Sequence, residues 1–422
     1  MGVKKIAKRK LVRLSALGVA TVVALPLLMG CSTAASSSSS DSIKIGAFFP
    51  VSGSLALLGE ESWRGVQIAT DLRNAAGGVA DKSIEMVFAD VPDVNAATSE
   101  ARRLASDSDI NLAVGSYSSG LSLAASEVFA RGGSTFVELG AVSEAITDRD
   151  YENVFRFNPA AGSFTKLQMR FITEHLAEEL GKPVSELNVI LAHEDSAYGQ
   201  SVAENAVIDA AEAGLVNFSL EPYNAKSTDL SSTVLRLKAK APDIVIAVSY
   251  AADAILLGRQ IRDNGLQLGA FIGTGGGHSL KGFHDALGEA ADGVYDVDFT
   301  QIHVNEEFTP GITEFTAAYE ERYDSLPASG HALANFTGAN LLFDILEETN
   351  GSDDPEEFRQ AAQNFKLEIG TTSSGWGFSL NENNQNELAD VYVMQWNGDQ
   401  LETVWPEQAA IRAPLPATPF GV

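Results

Sequence analysis

The chain has one cysteine, Cys31, in 422 residues. An internal disulfide is therefore excluded, and so is a zinc site built on several thiolates. Its six histidines form no His-Glu-x-x-His pattern, so no metal site is expected. Basic residues are scarce: 29 Lys and Arg face 56 Asp and Glu, a formal charge of −27. Lys4, Lys5, Lys8, Arg9, Lys10 and Arg13 all fall in the acid-free first 30 residues, so the remainder is more acidic still. Such a body is a poor partner for nucleic acid or an anionic membrane surface. Nucleotide-binding loops are missing too. Thr274-Gly275-Gly276-Gly277-His278 lacks the Gly-Lys-Ser/Thr ending of a phosphate loop, and His278 stands where a dinucleotide fingerprint counted from Gly273 needs glycine. No cofactor is expected.

What is present begins with an address. The basic start is followed by a short apolar run, residues 16–25, and then Leu28-Met29-Gly30-Cys31. The run falls short of the ~20 residues that a membrane span needs. The layout is that of a secretory signal over residues 1–30, ending in a segment that resembles a bacterial lipobox. Cleavage before Cys31 and lipidation of that residue are the expectation. Residues 31–42 then form a Ser-rich tether.

At 45% apolar and 20% charged, the remaining chain can bury real cores, and its length suits two lobes. From Ser42 onward, strand and helix periods alternate. Residues 43–49, 83–89, 111–114 and 134–139 read as strands, with helices over 59–76, 94–106 and 121–130. A second run follows a break near Asn158-Pro159, with strands at 188–192, 216–223, 243–248, 270–273 and 293–299. The pattern predicts an α/β fold of two doubly wound parallel-sheet lobes. Helices are expected at 309–323 and 331–349, and a closing hairpin that turns at Asn397-Gly398.

Gly115-Ser116-Tyr117-Ser118-Ser119-Gly120 sits where a strand ends and a helix begins. Ligands gather beyond the carboxyl ends of strands in such sheets, and a helix start offers free N–H groups. The loop therefore reads as the holder of the polar, anionic end of a small ligand. It is not a Gly-x-Ser-x-Gly elbow, because Ser118 and Ser119 stand too far from Gly115.

In their order and spacing, several segments resemble the Leu/Ile/Val-binding proteins, the solute receptors of ABC importers with the type I periplasmic-binding fold. They are Pro50-Val51-Ser52-Gly53, Gly115 with Ser118-Ser119, Asp195-Ser196-Ala197-Tyr198-Gly199, Asp229-Leu230-Ser231 and Tyr392-Val393-Met394-Gln395-Trp396. The resemblance covers about residues 43–406 and implies two lobes joined by a three-segment hinge. Lobe 1 would take 43–160 and 299–385, and lobe 2 would take 161–298 and 386–422. It implies capture of a small solute, delivery to an ABC permease, a lipid anchor on the outer face of the cytoplasmic membrane, and a monomer without enzymatic activity.

The resemblance also implies a site. Ser119, with Tyr117 and Ser118 beside it, would hold a ligand carboxylate, assisted by Gly140, Ala141, Val142 and the hydroxyl of Ser143. Tyr198 and Tyr250 would close over the solute, and Leu58 falls where an aromatic is usual. The acidic residue that meets an ammonium should fall near Gly275, which is glycine, so the zwitterion clamp is incomplete. Glu138 shares the parity of Gly140 and could point into the cleft as a substitute, or it could be bonded to backbone. His278 is expected on an exposed loop. Amino acids, amides and small carboxylates all stay open as solutes. The competing readings are a ligand sensor on the same fold and a secreted hydrolase using Ser119.

Overall fold

A computed structural model describes residues 42–421. The signal-like segment, Cys31 and most of the Ser-rich tract lie outside the described residues. Among the described residues no helix is long and apolar enough to cross a membrane.

β1 (Ser42–Phe49) is buried along most of its length because it lies inside a sheet. β2 (Ser83–Asp90) and β3 (Leu112–Gly115) flank it, both parallel to it. β4 (Thr135–Glu138) and β5 (Val154–Arg156) complete the order β2-β1-β3-β4-β5. Strands covered on both faces read as continuous apolar runs, which is why Leu112-Ala113-Val114 shows no alternation. α1 (Ala56–Ala75), α2 (Val94–Ala105) and α3 (Ser119–Gly132) connect these strands. α2 starts at Asp93, whose carboxylate accepts the N–H groups of Asn95 and Ala96. β5 has only three residues, too few for a period to mark it in the sequence.

The second sheet runs β12-β11-β10-β9-β8-β6-β7. β6 (Asn188–Glu194), β7 (Asn217–Tyr223), β8 (Ile244–Val248), β9 (Ala270–Thr274) and β10 (Tyr295–Asp298) are parallel. The hairpin of β11 (Tyr392–Asn397) and β12 (Gln400–Trp405) adds to β10 antiparallel, so this sheet is mixed. α4 (Ala161–Phe171) continues through a π-helical turn, Ile172–Leu176, to Glu179. α5 (Ala197–Glu212), α6 (Ser231–Lys240), α7 (Ala251–Asp263) and α8 (Lys281–Leu287) accompany the remaining strands. At the head of α6, Asp229 accepts the N–H of Ser231, as its sequence position suggests.

After β10 the chain returns to the first sheet. α9 (Ile312–Tyr323) precedes α10 (Gly330–Glu348), which lies against α1 and is buried almost all round. α11 (Pro355–Asn364) follows, and its Phe358 meets Phe155 of β5 edge-on. Gln385 bridges to Arg156 before the chain leaves again for β11. Three passages between the sheets result: after β5, after β10 and before β11. At the first and third, Arg156 is fully buried. Its guanidinium donates to the carbonyl of Ser143, the side-chain oxygen of Gln385 and the carboxylate of Glu144. Removing one partner from such a buried set typically costs about 3–5 kcal/mol, so these contacts fix where the passages lie.

Candidate functional site

β3 ends at Gly115, with φ of +151°, and a Cβ there would lie 2.5 Å from the carbonyl oxygen of Phe48. Only glycine fits that strand end. The chain then turns through Ser116–Ser118, and α3 begins at Ser119, two residues before its apolar pattern starts. The first-turn N–H groups of a helix have no intrahelical partner. Ser119 Oγ accepts the N–H of Ser143 at 3.2 Å, which ties the helix start to the loop after β4.

A cavity lies beyond the carboxyl ends of both sheets. Leu58, Tyr117, Ser119, Gly140 and Val142 line it from the first sheet's side. Tyr198, Tyr250 and Gly275 face them from the second, as the resemblance implies. Tyr250 Oη lies 3.3 Å from Ser118 Oγ across the gap. The rings of Tyr198 and Tyr250 stand 5.4 Å apart, and Tyr117 meets Tyr250 edge-on at 6.0 Å. Leu58 packs beside Gly276 so closely that a Cβ at 276 would fall 2.6 Å from Leu58 Cδ1. Free space inside is about 30 Å³, and each water needs roughly 10–15 Å³. The site is shut.

Ser118, Glu138, Ala141 and Ser143 do not line the cavity; they support it. Ser143 donates its N–H to Ser119, and the carbonyl of Ala141 accepts from Asn158. Glu138 is the clearest correction. It does not reach the cleft; its buried carboxylate accepts N–H groups from Ser116 at 3.0 Å, Leu139 at 3.1 Å, Gly140 at 2.8 Å and Ala141 at 2.6 Å. It thereby joins the loops after β3 and β4, the two that carry the cradle. Burial pushes its carboxyl up to about 7, and the N–H donors offset this only in part. His278 departs from expectation as well. It is fully buried, with its ring between Phe271 and Phe283, and it does not touch the cavity.

Six lining residues carry no expectation from sequence: Phe164, Ser249, Gly276, Asp298, Phe299 and His331. Phe164 and Phe299 meet edge-on at 5.7 Å, and Phe299 meets His331 at 5.0 Å. His331 opens α10; burial lowers it to about 3, so it is neutral and adds no charge. Asp298 ends β10 and Phe299 follows it. They follow the same strand-end rule that marks the loop after β3, applied to a strand whose span is plain in the sequence. Tyr117, Phe164, Tyr198, Tyr250 and Phe299 give the walls their aromatic character, with Ser119 and a helix start on one side and Ser249 and one carboxyl on the other.

This arrangement can enclose a small molecule between two sheets while gripping its polar ends. Among the described residues no cluster of His, Cys, Asp and Glu is arranged to hold a metal ion.

Known proteins share both the sequence and the shape. Residues 42–400 match the model of a family described as periplasmic binding protein. A Leu/Ile/Val-binding protein homolog 7 from Brucella suis is 42% identical over 370 residues, which is 87% of this chain and 92% of that one. A leucine-binding protein from Thermotoga maritima superposes with a TM-score of 0.74 at 20% identity, covering 86% of this chain and 98% of the other. A branched-chain amino acid transporter substrate-binding protein from Streptococcus pneumoniae, solved with isoleucine, gives 0.71 at 22%, with 86% and 98% covered. The two parallel-stranded units and their three connections are therefore the type I periplasmic-binding architecture, and the chain belongs to the periplasmic binding protein family, among its Leu/Ile/Val-binding homologues.

Proposed function

We propose that this protein is a lipid-anchored receptor outside the cytoplasmic membrane that captures a small polar or amphipathic solute and delivers it to an ABC permease. Amino acids, amides and small carboxylates are the candidate solutes. Residues 43–160 with 299–385 form one lobe, and 161–298 with 386–422 form the other. The observation that carries the reading is the narrow cavity between the strand ends of the two sheets, lined from both sides. Closure couples to binding because only the closed form touches the solute from both lobes. With about 30 Å³ free, the lobes part before a solute enters. The anionic end of the solute rests at Ser119 and the start of α3, with Gly140 and Val142 beside it, and the aromatic walls cover its apolar part.

A thermal-shift screen over these solutes identifies the ligand, since binding to the folded state raises the melting temperature. Calorimetry with the best hit then tests the site. Ser119→Ala should weaken binding by about 1–3 kcal/mol, the worth of a hydrogen bond to a charged group. Unchanged affinity removes this loop from the site. Turnover of model esters that disappears in the same variant makes the protein a hydrolase instead.

A further inference from the structure

We propose that Asp298, at the end of β10, receives a cationic amino group of the solute and takes the part that a side chain at position 275 would otherwise play. The inference rests on the solute reading above and adds to it the charge of the second polar end.

The geometry begins with register. β9 and β10 are parallel neighbours, with Val297 opposite Thr274, so Asp298 and Gly275 lie side by side one step beyond the paired strands. Gly275 also donates its N–H to the carbonyl of Val297 at 2.8 Å. With φ of +63°, position 275 disfavours most side chains, and a Cβ built there would lie 3.5 Å from Asp298 Oδ1. The carboxyl of Asp298 therefore occupies the region into which a residue at 275 would project. Both positions line the cavity.

Asp298 is fully buried, yet among the described residues it has no Lys, Arg or His partner. Oδ1 accepts the N–H of Phe299 at 2.7 Å, Oδ2 faces Gln301 Nε2 at 3.4 Å, and the hydroxyl of Ser279 also favours the charged form. These neutral donors leave room for a charged one, and a buried carboxylate needs a partner to be stable. Asp296, two residues back on the same face, lies deeper, against Gly273 and His278, and does not reach the cavity. Burial, together with repulsion from Asp298, raises Asp296 well above the usual carboxylate range, and of the two only Asp298 lines the cavity. Burial holds Asp298 at about 7, a value that an arriving ammonium lowers. Phe164, Tyr198 and Phe299 line the same cavity, and aromatic rings attract a nearby cation.

The test uses the full chain and three probe families: L-α-amino acids with apolar side chains, the matching carboxylic acids without the amino group, and the matching primary amines. For the wild type, at least one amino acid should bind about 10- to 100-fold more tightly than its deamino acid. Asp298→Asn should erase that preference, bringing the affinities for the amino acid and its deamino acid within about threefold of each other. Asp298→Ser serves the same purpose should the Asn variant fail to fold. Adding Gly275→Asp to the neutral variant should restore part of the preference, since Asp tolerates the left-handed conformation. A neutral variant that keeps the preference overturns the inference, and so does a wild type that binds none of the amines and amino acids better than plain acids. Failure of the underlying reading looks different: Ser119→Ala would then bind the deamino acids unchanged.

Discussion

Glu138→Gln separates the electrostatics of the site's scaffold from its shape. Gln keeps the length and one acceptor oxygen, which can still serve the N–H groups of Leu139, Gly140 and Ala141. It places an amide donor against the N–H of Ser116 and so loses that bond. This leaves the Ser116 N–H only its long 3.4 Å contact to Ser122 Oγ and costs about 1–3 kcal/mol at any pH. The pH dependence runs the other way. The carboxyl of Glu138 stands at about 7 in the folded chain against an ordinary 4.5, so the folded state holds the proton longer. Stability from this group is complete below pH 4.5 and is lost as pH rises through 7. Between pH 5 and pH 8 the wild type should therefore give up about 2–3 kcal/mol that the Gln variant keeps. All other titrating groups are common to both proteins and cancel in the difference. Scanning calorimetry at a series of pH values reads it: the gap in melting temperature should narrow by several degrees from pH 5 to pH 8. Curves that stay parallel refute the burial argument and mean that the N–H donors hold Glu138 ionised throughout.

Gly276→Val should wedge the cavity open, because the space beside Leu58 is already taken. Small-angle scattering should report a larger radius with ligand present, and affinity should fall by about 1–3 kcal/mol, the usual cost of overpacking; an unchanged compact form means that these loops do not meet when ligand is bound. Cys31→Ser should release the protein from membranes into the soluble fraction, since two or more acyl chains are what make anchoring stable. Retention on membranes after that change removes the lipid anchor.

Much of the fold was legible because its signals are local. The apolar runs of β1 and β3, Asp229 ahead of α6 and the closing hairpin each act within a few residues, although the turn falls at Gly398-Asp399, one residue later than expected. The loop at Ser119 was legible for the same reason. Asp298 shows where such reading stops. Its strand was evident, but only the sheet order makes β10 the neighbour of β9 and brings Asp298 beside Gly275. His331 was hidden differently: α10 is buried on nearly all sides, so its apolar pattern does not say which side faces a cavity. Glu138 has backbone N–H partners, and composition carries no trace of those.

The bridge between Arg156 and Gln385 joins residues 229 apart in the chain. It sets an order of assembly. When synthesis has reached the end of β5, the first sheet still lacks the segment that flanks its last strand, and the Arg156 guanidinium lacks its amide partner. Everything belonging to the second sheet up to β10 must emerge first. Long-range closure of this kind slows folding, because the loop must be ordered before the contact repays it. The first sheet is therefore unfinished until about nine-tenths of the chain has been made. The path of the backbone thus holds back completion of the first sheet until late in synthesis.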